Sequence, residues 1–189
     1  FIDPARPWTI ITGDCMAVLK DMANGTVDVV IADPPYNAKT HKGAKSGFRP
    51  NQMGITFAPL EDLEGLVRGQ LRVSQRWVVD FCAMEALGAY ESAAGEAWIR
   101  SGFWYGPDST PQCSGDRPGQ PGEGVAIMHR HGRKRWNGGG HAAYWSVCIE
   151  RRDRVHSTQK PIRLMMELVE QFTDPGDLVL DTHCGSGTT

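Results

Sequence analysis

Short apolar runs alternate with amphipathic segments along this chain, and the pattern predicts an α/β fold. The run Val27–Ala32, rich in β-branched residues, is typical of a buried parallel strand. Apolar residues between Ile162 and Phe172 recur at helical spacing. Similar runs predict strands over Thr9–Ile11, Arg76–Cys82, Tyr144–Ile149 and Asp177–Asp181, and helices over Cys15–Met22 and Leu60–Val73.

The first buried strand continues directly into Asp33-Pro34-Pro35-Tyr36. Neither proline can donate to a β-ladder, so the strand stops there and a stiff loop follows. This loop presents a carboxylate, a carbonyl and an aromatic ring at the edge where open α/β sheets bind ligands. The three groups suit a planar base with an exocyclic amine, because two acceptors take the amine hydrogens and the ring stacks on the base. An ordinary strand-ending turn is the alternative.

The last predicted strand runs into a glycine-rich loop. Asp181 is followed by Cys184-Gly185-Ser186-Gly187, whose glycines allow positive φ and a close approach of the backbone to a ligand. Thr188 and Thr189 are expected to begin a helix, whose amino end favours an anionic group. The loop therefore favours a nucleotide-like cofactor. The polar loop His156–Pro161, just before the amphipathic helix, is a second candidate for ligand contact.

In this order, the segments resemble the S-adenosylmethionine-dependent DNA amino-methyltransferases of the β subgroup. Asp33-Pro34-Pro35-Tyr36 is similar to their catalytic motif, and the glycine-rich end is similar to their cofactor loop. Gln159-Lys160-Pro161 looks like a further cofactor-contacting motif, and Gly13-Asp14-Cys15 matches a segment just upstream of the catalytic strand. The resemblance implies a Rossmann-like class I methyltransferase sheet, circularly permuted and truncated at the C-terminus. One departure is His183, which stands where the family usually has phenylalanine.

The resemblance implies a site-specific enzyme that transfers a methyl group from S-adenosylmethionine to the exocyclic amine of a flipped base. In the family, an aspartate at the first motif position, here Asp33, favours adenine N6 as the methylated atom. Cytosine N4 is the alternative, because the chemistry accepts either amine. Methylation of RNA or of a protein glutamine, and a truncated DNA-binding relative without catalysis, are further alternatives. The predicted catalytic residues are Asp33, Pro34, Pro35 and Tyr36. The predicted cofactor-binding residues are Asp14, Cys15, Ser157, Thr158, Lys160, Pro161, Asp181, Cys184, Gly185, Gly187 and Thr188.

Residues 98–155 have a different character from the two ends. Glycine and proline cluster here and basic residues outnumber acidic ones, which predicts a long irregular insertion between a catalytic segment, 1–97, and a cofactor-binding segment, 156–189. The resemblance assigns DNA recognition to this region, since its basic and aromatic residues suit phosphates and base edges. A solvated loop is the alternative. The predicted DNA contacts, including two from the loop after Tyr36, are Lys39, Arg49, Arg130, Arg133, Lys134, Arg135, Trp136 and Asn137.

Composition is consistent with one globular domain, since 189 residues with 40% hydrophobic content can bury a substantial core. The net charge of −2 argues against broad nonspecific affinity for nucleic acid, so any DNA-binding face is local. The five cysteines form no Cys-x-x-Cys pair, which disfavours a disulfide framework or structural zinc and fits a reducing cytoplasm. The histidines predict no metal site because no other ligand lies at a suitable spacing.

The resemblance also implies partners and a setting. Double-stranded DNA is the expected partner, with a homodimer and a cognate restriction endonuclease as further ones, in the cytoplasm of a bacterium or of a phage-infected host. No apolar run approaches the length of a membrane span. Because the chain starts at Phe1 and stops shortly after the glycine-rich loop, we expect a fragment or the ordered part of a longer protein.

Overall fold

The computed structural model describes residues 7–36, 60–151, 159–185 and 187–189. The helices are α1 (Cys15–Asp21), α2 (Leu63–Val73), α3 (Leu87–Ala94) and α4 (Ile162–Phe172). The strands are β1 (Val29–Ala32), β2 (Trp77–Cys82), β3 (Trp98–Tyr105), β4 (Gly122–His129), β5 (Tyr144–Ser146) and β6 (Val179–Leu180). Within the described ranges, no helix combines the length and apolar character needed to cross a bilayer.

The six strands form one mixed sheet in the spatial order β5-β3-β4-β2-β1-β6. β1 pairs in parallel with β2 and with β6, and β3 pairs in parallel with β5. β4 is antiparallel to both of its neighbours, β2 and β3. The start of β4 therefore lies at the carboxyl edge of the parallel strands, and its end lies at their amino edge. The α/β class predicted from the sequence is confirmed, and the last strand of the chain lies beside the first.

The central strands are buried on both faces, which explains their continuous apolar sequence. On one face, α4 packs Leu164, Leu168 and Phe172 against β-strand residues such as Ile31 and Val79. On the other face, α1, α2 and α3 cover the alternate residues of the same strands. The sheet is thus held rigidly between two helical layers, and the loops at its carboxyl edge are carried on a fixed frame.

Two elements predicted from the sequence differ in the structure. The predicted strand Thr9–Ile11 is wrong: these residues pair with no strand in the described part of the chain, and Ile10 and Ile11 are exposed. Their apolar character suggested a strand, but β5 and β6 form the two edges of the described sheet. Thr188 and Thr189 are not helical.

The prediction of a long irregular insertion is wrong for much of residues 98–155. β3 and β4 make an antiparallel pair inside the sheet, and β5 extends it. Some glycines here serve strand packing: a Cβ added at Gly102 would lie 2.9 Å from the ring of Trp145, so glycine lets the indole lie against the strand. In the described part of this range, the irregular chain comprises residues 106–121, 130–143 and 147–151.

Candidate active site

The loop Asp33-Pro34-Pro35-Tyr36 leaves β1 at the carboxyl edge of the sheet, as its sequence predicts. Pro34 is buried, while Asp33 and Tyr36 are half-buried. The Tyr36 hydroxyl donates a hydrogen bond to Glu123 and lies 3.4 Å from Asp33 Oδ1. Glu123 comes from the start of β4, which reaches this edge because β4 runs against its neighbours.

Lys160 connects the two carboxylates. Its Nζ lies 2.6 Å from Asp33 Oδ2 and 3.0 Å from Glu123 Oε2, and its side chain is only 7% exposed. The ammonium also lies 4.9 Å from the ring centroid of Phe81 and 5.8 Å from that of Tyr36. Aromatic faces attract a cation, so the pocket holds the positive charge by both ion pairing and cation–π contact. The role of Lys160 in cofactor contact stays a prediction.

The charges at this site shift one another's protonation. Burial raises the pKa of Asp33; Lys160 opposes the rise, Glu123 and Asp181 add to it, and the net pKa lies above the ordinary value. Burial alone would lower the pKa of Lys160, but the two carboxylates outweigh it and the pKa is raised. Burial, then Glu123 and Asp33, raise the pKa of Tyr36, so its hydroxyl keeps its proton and remains a donor.

The glycine-rich loop lies beside this cluster, because β6 pairs with β1 and both strands end at the same edge. Asp181 accepts hydrogen bonds from the His183 N–H at 2.9 Å and the Thr189 hydroxyl at 2.6 Å, which joins the start of the loop to its end. Gly185 and Gly187 have φ values of 48° and 71°, a region that favours glycine. The sequence-based prediction of positive φ in this loop is confirmed.

Other predicted cofactor residues are distributed around the same loop. Cys15 Sγ lies 3.4 Å from His183 Nε2, so the start of α1 contacts the loop, while the Asp14 carboxylate caps α1 by accepting from Ala17 N–H at 2.9 Å. Burial lowers the pKa of His183, which favours its neutral ring. Pro161 is buried at the N-cap of α4. Cys184 is exposed and Thr188 is half-buried, whereas Ser157 and Thr158 lie outside the described residues.

The predicted DNA contacts of residues 130–137 lie at the opposite edge of the sheet. β4 ends at His129, which pairs with Trp77 at the start of β2, roughly 10 Å along the strand from the position that pairs with Ala32. Arg135 forms an ion pair of 2.7 Å with Asp174. This cluster therefore lies at the edge of the sheet opposite the catalytic loop, and its contact with DNA stays a prediction.

Individual residues of this cluster serve the fold. Arg130 donates to the Ser74 carbonyl at 3.2 Å, and Asn137 Nδ2 lies 3.1 Å from Asp174 Oδ1. Trp136 packs edge-on against Phe172, with ring centroids 4.9 Å apart. Arg133 and Lys134 are exposed at the same amino edge. The other two predicted contacts, Lys39 and Arg49, lie outside the described residues.

Sequence reasoning missed Glu123 and a buried polar pair behind the site. Asp80 is fully buried in β2, where it pairs with Ala32, and it accepts a hydrogen bond of 3.0 Å from Gln70 Nε2. Gln70 Nε2 also lies 3.3 Å from the Thr182 hydroxyl, next to Asp181. An acid inside the apolar run of β2 was a visible signal for Asp80. Glu123 gave little signal beyond being a glycine-flanked acid before an apolar run.

Burial raises the pKa of Asp80 well above its ordinary value. Among the described residues, Asp80 Oδ2 and Gln70 Oε1 are buried without a hydrogen-bond partner, and they belong to the two side chains that already share one bond. A proton on Asp80 would supply the donor that these two acceptors lack, so the pair fits a neutral carboxyl better than a carboxylate.

Replacement of Asp80 by asparagine is therefore expected to be tolerated and to flatten the pH dependence of stability. A raised pKa stabilises the fold at low pH, and this contribution is lost as the pH rises through the folded-state pKa. The amide of D80N cannot ionise, so its free energy of unfolding should exceed that of wild type at high pH by about 1–3 kcal/mol. Urea unfolding between pH 4 and pH 9 measures this difference. D116N, at an exposed position, is the control, and a D80N variant less stable than wild type throughout would contradict the neutral assignment.

The fold is similar to solved methyltransferase structures. The structure titled M1.HpyAVI-SAM complex superposes with a TM-score of 0.67 at 21% identity, covering 95% of this chain and 84% of that one. PvuII DNA methyltransferase, described as cytosine-N4-specific, superposes with a TM-score of 0.65 at 12% identity, covering 89% of this chain and 71% of that one. Both likenesses support a methyltransferase-type α/β fold.

Sequence comparison identifies the family. A profile described as DNA methylase matches residues 94–189, just over half of the chain. The chain belongs to this family, the DNA amino-methyltransferases of adenine N6 and cytosine N4. The type II methyltransferase M.HinfI of Haemophilus influenzae is 21% identical over 220 residues, covering 96% of this chain. The chain spans about 60% of the length of that relative.

Proposed function

We propose that this protein transfers a methyl group from S-adenosylmethionine to the exocyclic amine of a base flipped out of double-stranded DNA, with adenine N6 favoured. The observation that carries the proposal is the partly exposed Asp33 carboxylate, fixed by Lys160 at the sheet edge beside the Asp181 loop. Family membership supports the same reaction class.

We assign the Asp33 carboxylate and the Pro34 carbonyl as the acceptors of the two hydrogens of the base amine. A base amine is a poor nucleophile because its lone pair is delocalised into the ring. An acceptor for each amine hydrogen favours a pyramidal nitrogen and puts negative potential where positive charge develops. Asp33 Oδ2 is engaged by Lys160, whereas the contact of Oδ1 with the described residues is the long one of 3.4 Å to Tyr36, so Oδ1 is the oxygen assigned to the base. The Tyr36 ring, anchored through its hydroxyl, supplies the stacking surface.

The residues of the second loop fit S-adenosylmethionine. Gly185 and Gly187 keep the backbone free of side chains at positive φ, and Asp181 is a half-buried carboxylate that could pair with an ammonium or a hydroxyl. Burial raises the pKa of Asp181, and the hydrogen bonds from Thr189 and His183 oppose that rise. When bound, S-adenosylmethionine supplies an electrophilic methyl group. Asp181, Gly185, Gly187 and the start of α1 at Cys15 are the residues proposed to hold it.

The target base rests on the motif alone. In the family, motifs that begin with aspartate favour adenine as the target base. The chemistry itself accepts the amine of either adenine or cytosine. PvuII DNA methyltransferase, which shares the fold, is described as cytosine-N4-specific, so the fold does not select the base. A bacterial or phage-infected cytoplasm, a homodimer and a cognate restriction endonuclease stay as predictions from the resemblance.

The function is tested by methyl transfer to competing acceptors. The chain is incubated with S-adenosylmethionine labelled on the methyl group and with duplex DNA, RNA or a protein mixture in separate reactions. We expect label in duplex DNA only, and N6-methyladenine in the nucleoside digest. Label in N4-methylcytosine would correct the base, label in RNA or protein would correct the substrate class, and DNA binding without transfer would favour the non-catalytic alternative. Calorimetric titration with S-adenosylmethionine separates loss of cofactor binding from loss of chemistry.

A further inference from the structure

Asp33 and Glu123 are brought into one charge cluster by a lysine that neither strand supplies. β1 and β4 are separated by β2, so their backbones are about 10 Å apart at the usual spacing between strands. Lys160 precedes α4 and reaches the gap from the face of the sheet, where its ammonium contacts both carboxylates. Its side chain is buried, and among the described rings around the ammonium Phe81 lies nearest, at 4.9 Å.

Lys160 and Glu123 have opposite effects on the ionisation of Asp33. Lys160 offers positive charge and a direct hydrogen bond to Asp33 Oδ2. Glu123 adds negative charge nearby and competes for the same ammonium. Glu123 also accepts the Tyr36 hydroxyl, so the ring proposed to stack on the base is anchored to the same carboxylate. One buried ammonium therefore pairs with two carboxylates, so replacing either Lys160 or Glu123 would change the net charge next to Asp33.

We propose that Lys160 and Glu123 are positioning residues that set the charge state of Asp33 in opposite directions, Lys160 keeping its carboxylate ionised and Glu123 limiting that effect. The inference rests on the proposed function for its meaning, because an ionised Asp33 matters as an acceptor for the base amine. Its physical content, opposite electrostatic control of one carboxyl group, can be measured without turnover.

None of the other titratable groups described near Asp33 supplies a positive charge. Asp181, beside β1 on the next strand, adds negative charge, and the Tyr36 hydroxyl stays neutral. Asp80 and Cys82 of β2 are themselves influenced by Asp33. Burial raises the pKa of both groups, so the structure favours their neutral forms. Lys160 is thus the cation that offsets this acidic surrounding in the described part of the site.

The test is a carbon-13 NMR titration of the side-chain carboxyl of Asp33, assigned with D33N, in wild type, K160M and E123Q. Loss of the ammonium should raise the titration midpoint of Asp33 by about one to three pH units, and loss of the Glu123 charge should lower it. R163M is the matched control, since it removes an exposed cation from the first turn of α4 that pairs with Glu167. The midpoint in R163M should equal that of wild type.

The double variant K160M/E123Q keeps the experiment decisive if K160M alone fails to fold. It removes one charge of each sign, and its midpoint should lie above that of E123Q. Midpoints that shift in the same direction in K160M and E123Q, or that shift no more than in R163M, would overturn the inference. So would a double-variant midpoint at or below that of E123Q.

Methyl transfer by the same proteins separates this inference from the proposed function. If wild type transfers methyl groups to DNA, the acid limb of its rate profile should move up in pH in K160M and down in E123Q. Opposite NMR shifts without any transfer by wild type would leave the charge cluster standing and remove the proposed function. Methyl transfer by wild type, with Asp33 midpoints that do not move in K160M and E123Q, would support the proposed function and overturn the charge-cluster inference.

Discussion

Replacement of Asp33 by alanine or asparagine is expected to lower methyl transfer to DNA by about 10³-fold or more, which corresponds to about 4 kcal/mol of transition-state stabilisation. D33N preserves the shape of the side chain but removes its negative charge, so it isolates the electrostatic contribution. D33A removes the side-chain oxygens as well, and both variants take away one of the two carboxylates that pair with Lys160. We expect affinity for S-adenosylmethionine to change little in either variant, because Asp181 and the glycine loop come from a different strand.

The measurement is transfer of labelled methyl groups in single turnover, with calorimetric titration of S-adenosylmethionine beside it. D116A removes an exposed acid in the loop between β3 and β4 and is the matched control for loss of a carboxylate. Its rate should equal that of wild type. Retention of more than about a tenth of the wild-type rate in D33N would remove Asp33 from the catalytic role, since a group that stabilises developing charge is worth far more than that.

The parts of the fold that were predictable from the sequence are those with strong local signals. The β-branched run into Asp33-Pro34-Pro35-Tyr36 predicted both a buried parallel strand and the edge where it ends. Helical spacing from Ile162 to Phe172 predicted α4 with its buried face. The glycines of the last loop predicted positive φ. In each case the covalent constraint or the periodicity lies within a few residues, so no knowledge of long-range pairing was needed.

The positions of Glu123 and of the basic cluster could not be predicted for a different reason, which is the direction of β4. Local sequence does not specify whether a strand runs parallel or antiparallel to its neighbours. Because β4 is antiparallel, Glu123 arrives at the active edge and Arg130 at the opposite one. The same direction puts the unpredicted Glu123 next to Lys160 and the basic cluster, including Arg135, at the opposite edge of the sheet. These positions depend on strand order, a long-range property that sequence reasoning did not include.

Replacement of Trp145 by alanine is expected to lower the free energy of unfolding by about 3–5 kcal/mol, a large part of the 5–15 kcal/mol typical of such domains. The indole is 1% exposed, lies over Gly102 and donates from Nε1 to Gln171 Oε1 at 3.0 Å. Alanine would leave a cavity and an unpaired amide oxygen on α4. Since β5 has only three residues, this one side chain provides most of its attachment to the core.

Tyr144 is the matched control, because it is the adjacent residue of the same strand and is 45% exposed. Y144A should cost about 1 kcal/mol or less, as is usual for surface positions. Urea unfolding of both variants measures the difference, and near-equal losses would contradict the assignment of Trp145 to the core.

The loss of Trp145 should also affect the active site. Trp104, whose indole donates to the Val147 carbonyl just after β5, is one of the rings around the Lys160 ammonium. A loosened β5 should therefore weaken the enclosure that holds Lys160 against Asp33.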